Sequence, residues 1–211
     1  SGGGVGAGPF HSQSLEETFL HIPGLKVVAP ASPEDAYVLL REAIRDPNPV
    51  LFFEHKYLYR RVKAGLPPGS VAVGPGVEAR ARVLRRGEDV TVVAWGWMVH
   101  RALAAAELLA GEGLSVEVVD LRVLAPLDEE TVLASVGRTG RALVVHEAQL
   151  TGGFGGELAA RIADRAFDSL DAPVRRLAYP DHPVPFNKEL EAECLPDEES
   201  IAASLRELAA W

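Results

Sequence analysis

The stretch that decides the fold runs from residue 90 to residue 119 and reads VTVVAWGWMVHRALAAAELLAGEGLSVEVV. It opens with a β-branched apolar run that ends at Gly96, which is typical of a buried strand. Residues 98–110 then carry alanine and leucine at helical spacing, and residues 116–119 form a second apolar run. A strand, a helix and a strand in this order predict two parallel strands joined by a right-handed crossover.

The same alternation extends on both sides of this unit. Further apolar runs predict strands over residues 25–29, 50–53, 142–146 and 174–177. Further helical patterns begin at Ser32, Asp128, Glu157 and Asp197, and Ser32 is followed by proline at the first helical position. The chain is therefore predicted to be an α/β protein, with a mostly parallel sheet that helices cover on both faces.

Glycine and proline interrupt the alternation between about Lys63 and Arg82. Such a segment is the most favourable place for a domain boundary, because it supports neither a helix nor a strand. We therefore expect one domain over residues 1–62, a linker over residues 63–82 and a second domain over residues 83–211.

Composition restricts the class of protein. The 211 residues are 47% hydrophobic and 24% charged, as in globular proteins, and the formal net charge is −9. This acidity argues against nucleic acid or an anionic membrane as the main partner. The one cysteine, Cys194, cannot form an intrachain disulfide, which favours a reducing, cytoplasmic setting. We find no signal-peptide pattern and no apolar run of membrane-spanning length.

The sharpest candidate for chemistry is His11. Glycines at positions 2, 3, 4, 6 and 8 lead into His11, Ser12 and Gln13. Glycine lets a backbone or a ligand approach closely, and histidine can pass protons near physiological pH. The alternative is a solvated or structural loop histidine.

Three other features admit two interpretations each. The glycines of residues 152–156 follow a strand and open a helix, so they could hold an anion, although close packing is favoured. His146 and Glu147, at a strand's carboxyl end, could line a ligand site or form a structural pair. The acidic residues near the C-terminus are either solvated surface or a docking face for a basic domain. They are Glu189, Glu191, Glu193, Asp197, Glu198 and Glu199.

Several motifs occur together in a collinear order. They are GGGxGxG with HSQS (2–14), PGLKVVAP (23–30), DxNPV (46–50), FExKxLYR (53–60), DLRxLxPLD (120–128), HEA (146–148) and GGFG (152–155). Together they resemble the beta subunit of the thiamine-diphosphate-dependent decarboxylase component of 2-oxo acid dehydrogenase complexes, of the branched-chain or pyruvate type. The resemblance covers essentially the whole chain.

The resemblance carries expectations about fold and cofactors. Residues 1–62 would be the C-terminal part of a pyrimidine-binding domain, and the later residues a transketolase C-terminal domain. The family's beta subunit is longer at its N-terminus, so we expect a truncated chain. In the complete enzyme, thiamine diphosphate and magnesium are held mainly by that missing part and by the alpha subunit. The isolated chain is therefore expected to be inactive.

The resemblance also assigns residues and partners. His11 matches the histidine that faces the cofactor and helps to transfer the acyl group to lipoamide. Ala43, Asp46 and Asn48 match positions around a structural potassium ion in some branched-chain members. The implied partners are the alpha subunit, a second beta subunit, and the subunit-binding and lipoyl domains of the acyltransferase. The implied location is the cytoplasm, or the mitochondrial matrix in a eukaryote.

The expected function is a share in oxidative decarboxylation of a branched-chain 2-oxo acid, with reductive acylation of lipoyl groups. One alternative is the beta subunit of a pyruvate or acetoin dehydrogenase. The other is a non-catalytic module for dimerisation and for docking the acyltransferase.

Overall fold

The computed structural model describes residues 1–63 and 80–211, and the predicted linker therefore falls mostly outside the described residues. The strands are β1 (Lys26–Val28), β2 (Val50–Phe52), β3 (Arg82–Arg85), β4 (Val90–Ala94), β5 (Val116–Asp120), β6 (Val123–Ala125), β7 (Ala142–Gln149) and β8 (Arg175–Tyr179). The helices are α1 (Gly8–His11), α2 (Glu16–Leu20), α3 (Pro33–Arg45), α4 (Leu58–Arg61), α5 (Trp97–Ala110), α6 (Glu129–Thr139), α7 (Phe154–Arg165), α8 (Lys188–Cys194) and α9 (Glu198–Ala209). Within these described ranges, no helix is long and apolar enough to cross a membrane.

The larger sheet has the strand order β3-β5-β4-β7-β8. All its neighbouring pairs are parallel except β3 with β5, which is antiparallel at the edge. Alternate residues of β4 enter two separate cores: Val92 packs with α5 and α9, and Val93 packs with α6 and α7. The prediction of a mostly parallel sheet covered on both faces is confirmed.

A smaller sheet joins the two described ranges of the chain, residues 1–63 and residues 80–211. Its order is β2-β1-β6, with β1 parallel to β2 and antiparallel to β6. Strand β6 follows β5 in sequence, so a segment beyond residue 120 completes the sheet formed by residues 26–52. The backbone of Ala29 also donates to the carbonyl of Arg122 at 2.9 Å. The first 60 or so residues are therefore bound to the rest by backbone hydrogen bonds.

Local sequence accounts for where the helices begin. The Ser32 hydroxyl accepts a hydrogen bond from the Asp35 amide at 3.1 Å, and Pro33 occupies the first helical position of α3. Asp128 caps α6 and Asp197 caps α9 in the same way. These three predicted helix starts are confirmed. Strands β3 and β6 were not predicted, because they are short and their pairing depends on a distant strand.

A buried ion pair connects α3 with the turn between β5 and β6. The guanidinium of Arg122 donates to Asp35 Oδ1 from Nε at 2.9 Å and from Nη2 at 2.7 Å. Only 4% and 3% of the two side chains are exposed. Buried charges are tolerated when they are paired and hydrogen-bonded, and removal of one partner leaves the other charge uncompensated.

We expect Asp35→Ala to lower the free energy of unfolding by about 3–5 kcal/mol, because the buried Arg122 guanidinium would lose its two hydrogen bonds to Asp35. The matched control is Glu34→Ala, because Glu34 is a neighbour on α3 whose exposed carboxylate lies 3.9 Å from Arg82. Such an exposed pair contributes about 0–1 kcal/mol. Urea unfolding of the two variants measures the difference. Equal losses would contradict the assigned role of the buried pair.

Candidate functional site

His11 lies at the end of α1, and its side chain is exposed. It stands at the rim of a hollow of about 410 Å³ that reaches towards β2. Aromatic rings form much of the wall of this hollow: Phe10, Phe19, Phe52, Phe53 and Tyr59. The arrangement places a proton-carrying imidazole beside an apolar, open-sided surface that could hold one face of a flat ligand.

The segment before His11, residues 2–8, is the glycine-rich loop. Gly6 and Gly8 have φ angles of +66° and +61°, in the left-handed region that favours glycine. A Cβ on Gly8 would lie 2.6 Å from the ring of Phe186, and a Cβ on Gly6 would collide with the side chain of Lys188. Glycine is therefore required at positions 6 and 8, both for the positive φ angles and for the close approach of the neighbouring side chains.

Hydrogen bonds fix this loop at several points. The carboxylate of Glu191, on α8, accepts from the Gly6 amide at 2.7 Å. Ser12 Oγ accepts from the Ala7 amide at 3.1 Å, and Lys56 Nζ donates to the His11 carbonyl at 3.0 Å. The chain carrying His11 is thus held by side chains from two separate parts of the sequence.

The acidic C-terminal run is not a uniform solvated face. Glu191 is buried against the glycine-rich loop, Asp197 caps α9, and Glu198 is ion-paired with Arg101. The charge pattern did not reveal this, because α8 has no apolar periodicity and only tertiary contact turns Glu191 inward. The exposed carboxylates left from the run are those of Glu189, Glu193 and Glu199.

A buried polar cluster lies beneath the loop. His55 Nε2 is 2.7 Å from Glu147 Oε2, and Ser14 Oγ donates to the same oxygen at 3.4 Å. Burial raises the pKa of nearby Glu16 to about 8, and the Glu147 carboxylate adds to the rise. Trp95 and these acids line a cavity of about 10 Å³, near the smallest volume that can hold one water molecule. Glu147 therefore binds residues of the first segment.

His146 points to the opposite side of β7 and is fully buried. Its ring stacks on Trp95 at 5.4 Å between centroids, and burial lowers the pKa of His146 to about 4. A Cβ on Gly153 would lie 2.5 Å from the ring's Cε1, and Gly155 approaches the other edge. The glycines at the start of α7 thus allow close packing on a neutral histidine, which accords with the packing interpretation.

The three residues assigned by resemblance to potassium lie at the end of α3. Pro47 has no N–H, so the Ala43 carbonyl cannot receive the usual helical hydrogen bond. Asp46, however, is ion-paired with Lys26 and accepts from the amide and side chain of Asn48. The Lys26 hydrogen bond, with that from Asn48, lowers the pKa of Asp46 to about 2. This arrangement fits a carboxylate neutralised by lysine better than one that holds a further cation.

Other histidines have structural or surface positions. His100 Nε2 is 2.7 Å from the Ala31 carbonyl, whereas His21 and His182 are exposed. Trp95 and Trp97 are buried, and Trp97 stacks on Tyr57 at 4.1 Å. Both tryptophans therefore have packing positions in the described part of the chain.

Two family models match the chain. Residues 1–62 match the transketolase pyrimidine binding domain, and residues 79–201 match the transketolase C-terminal domain. The second match alone covers more than half of the sequence.

Curated relatives with three different names are similar to almost the whole chain. The 2-oxoisovalerate dehydrogenase subunit beta of Bacillus subtilis is 44% identical over 99% of this chain and 63% of that protein. The pyruvate dehydrogenase E1 component subunit beta of the same organism is 44% identical over 98% and 62%. The acetoin:2,6-dichlorophenolindophenol oxidoreductase subunit beta of Cupriavidus necator is 46% identical over 97% and 60%. The chain therefore spans less than two thirds of the length of these relatives.

Solved structures agree on the fold. A protein described as a split gene transketolase, inactive beta4 tetramer, has a TM-score of 0.75 at 23% identity, over 99% of this chain and 64% of that one. A transketolase from Pichia stipitis has a TM-score of 0.72 at 18% identity, over 98% of this chain and 29% of that one. At these identities the likeness establishes the architecture alone.

The raised pKa of Glu16 predicts a pH-dependent stability. Between the ordinary pKa of about 4.5 and the folded value of about 8, the folded chain keeps a proton that the unfolded chain releases. The free energy of unfolding should therefore fall as the pH rises from 5 to 8, by about 1.4 kcal/mol for each unit of raised pKa.

Glu16→Gln keeps the shape of the protonated acid and removes the titration. We expect it to be more stable relative to the unchanged chain at pH 8 than at pH 5, as measured by urea unfolding at both values. Glu193→Gln is the matched control, since Glu193 is exposed. An identical pH dependence with and without Glu16→Gln would refute the assignment.

Proposed function

We infer that this chain supplies the acyl-transfer side of a thiamine-diphosphate-dependent active site. The chain belongs to the transketolase C-terminal domain family and, within that family, to the beta subunits of 2-oxo acid dehydrogenases. The reaction is oxidative decarboxylation of a 2-oxo acid with reductive acylation of a lipoyl group. One observation carries this proposal: His11 is an exposed imidazole on a fixed loop, at the rim of an aromatic hollow.

The described residues fit one side of the cofactor. The open hollow beside His11 suits a flat heterocycle that another subunit would cover from the opposite side. The described ranges contain no group of three histidine, cysteine, aspartate or glutamate side chains placed to bind a metal ion. By the resemblance, the N-terminal part of the longer beta subunit and the alpha subunit would bind magnesium and the diphosphate. When bound, thiamine diphosphate supplies the electron sink for decarboxylation.

We assign to His11 the role of proton donor in the acyl-transfer step. When a lipoyl dithiolane accepts the acyl group on one sulfur, its S–S bond breaks and the other sulfur takes a proton. Imidazole is well suited to deliver that proton near neutral pH. The hydrogen bond from Lys56 to the His11 carbonyl holds this part of the backbone in place.

The proposed partners are an alpha subunit, a second beta subunit, and the subunit-binding and lipoyl domains of an acyltransferase. Phe10 is 79% exposed and Phe186 is 60% exposed, and their rings lie 6.1 Å apart beside His11. Aromatic residues are enriched in protein interfaces, so an alpha subunit that closes the hollow would also cover this pair.

The proposed substrate is a branched-chain 2-oxo acid, with pyruvate and acetoin as the alternatives. Relatives named for all three substrates have similar identity to this chain, so overall similarity does not distinguish between the substrates. The preference for a branched-chain 2-oxo acid rests instead on the motif of residues 52–60, FFEHKYLYR. Phe52, Phe53 and Tyr59 of this motif form part of the wall of the hollow.

The function is tested by assembling a full-length beta chain that contains these residues with its alpha subunit, thiamine diphosphate and magnesium. We expect decarboxylation of 2-oxoisovalerate with a higher kcat/KM than for pyruvate, and no turnover by residues 1–211 alone. A preference for pyruvate or acetoin would select the corresponding alternative. An assembly that binds the acyltransferase but consumes none of the three substrates would instead identify a non-catalytic docking module.

His11→Ala should lower lipoyl acylation by about 10²–10⁴-fold, the range for loss of a general acid. Decarboxylation measured with an artificial electron acceptor should fall much less, because the cofactor drives that step. His21→Ala is the matched control, since His21 is also exposed on the first segment. Equal losses in both assays would make His11 a cofactor-positioning residue, and no loss in either would leave it without a part in the reaction.

A further inference from the structure

Glu191 is an unusual residue to find inside the protein. Its side chain is 1% exposed, at the centre of α8, and Oε2 accepts a hydrogen bond from the Gly6 amide at 2.7 Å. A buried carboxylate is costly unless its hydrogen bonds repay the loss of water. The Glu191 carboxylate accepts its hydrogen bond from a loop 185 residues away in sequence, so this bond stabilises the position of that loop.

The connection from Gly6 to His11 is short and internally bonded. Ser12 Oγ accepts from the Ala7 amide at 3.1 Å, and the Ser12 amide donates to the Gly8 carbonyl at 3.0 Å. These two bonds close the single turn of α1 around His11. Movement of Gly6 would therefore move the histidine with it, because little freedom remains in the intervening backbone.

Helix α8 is a firm base for this contact. Asn187 caps it by accepting from the amides of Glu189 and Leu190 at 2.9 and 3.0 Å. The loop also makes apolar contacts here, because Gly6 approaches the stem of Lys188 and Gly3 approaches Leu195, the residue that follows α8. Packing sets the distance between loop and helix, whereas the hydrogen bond to Glu191 fixes how the loop is placed along it.

We propose that Glu191 is a positioning residue, which holds the glycine-rich loop in the arrangement that brings the His11 imidazole to the hollow. The structural part of the proposal, that Glu191 anchors the loop, rests on the Glu191–Gly6 contact alone. The catalytic part, that this anchoring affects acyl transfer, also rests on the proposed function. The two parts call for separate measurements.

The structural part is measured by amide hydrogen exchange, followed by mass spectrometry, on peptides from residues 2–11 of the full chain. Glu191→Ala should accelerate exchange there by about tenfold or more, because the loop loses its anchor. Glu191→Gln should restore protection, since its side-chain oxygen can accept the same bond. Glu193→Ala, exposed on the same helix, is the control. Unchanged exchange in Glu191→Ala would overturn the proposal.

Glu191→Asp covers the case in which the alanine variant does not fold. It keeps the charge and withdraws the carboxylate by one methylene, so exchange over residues 2–11 should again increase. Native-like protection in this variant would show that the length of the side chain, and hence the contact with Gly6, is unimportant. That result would also overturn the proposal.

The catalytic part is measured in the assembled enzyme. Glu191→Ala should lower lipoyl acylation by about 10–100-fold, the cost of a small misplacement of a reacting group, and spare decarboxylation with an artificial acceptor. Adding Glu191→Ala to His11→Ala should cause little further loss, because the proton donor that Glu191 positions is then already absent. Glu191→Gln should recover most of the rate. Losses that multiply in the double variant would overturn the positioning role.

The two tests separate this inference from the proposed function. If the unchanged assembly carries out neither reaction, the proposed function fails, and hydrogen exchange still decides whether Glu191 anchors the loop. If the assembly is active and Glu191→Ala has the same acylation rate, the function stands and the positioning role is refuted.

Discussion

The parallel pairing of β4 with β7 is the interaction on which the rest of the structure depends. Every residue of β4 is buried, and alternate side chains such as Val92 and Val93 enter different cores. A one-residue slip in register would exchange these faces, so both helical layers fix the same alignment. The alignment in turn places Glu147 of β7 against His55, a contact that spans 92 residues of sequence. The core thus sets where the first segment is held.

The site of His11 is the product of this long-range organisation. The glycine-rich loop contains no strand, and the one short helix at its end is a single turn. Its shape comes from α8 on one side and from Lys56 on the other. Loops positioned by a rigid scaffold are common locations for chemistry, because they can approach a ligand without disturbing the core. Here the absence of side chains on the loop glycines is what allows α8 to approach closely enough to act as scaffold.

Much of the fold could be predicted because its determinants are local. The apolar runs of β4, β5 and β7 and the caps Ser32 and Asp128 are all visible in short windows of sequence. The glycine pattern and the resemblance together directed attention to His11. By contrast, β3 begins and ends with arginine and pairs at an edge, and α8 is acidic with a buried glutamate. Their structure depends on partners far away in the chain, which no local pattern could reveal.

The position of Glu191 also changes how the acidity of the chain is interpreted. A formal net charge of −9 suggests repulsion from nucleic acid and attraction to basic partners, and both arguments assume that the carboxylates face water. Glu16, Glu147 and Glu191 are instead buried at contacts between the first segment and the rest, with Glu16 favoured in its protonated form. Part of the acidic character is therefore internal. These carboxyl groups hold the segment carrying His11 against the larger sheet and α8. Part of the acidic charge that suggested a docking surface therefore stabilises the site around His11.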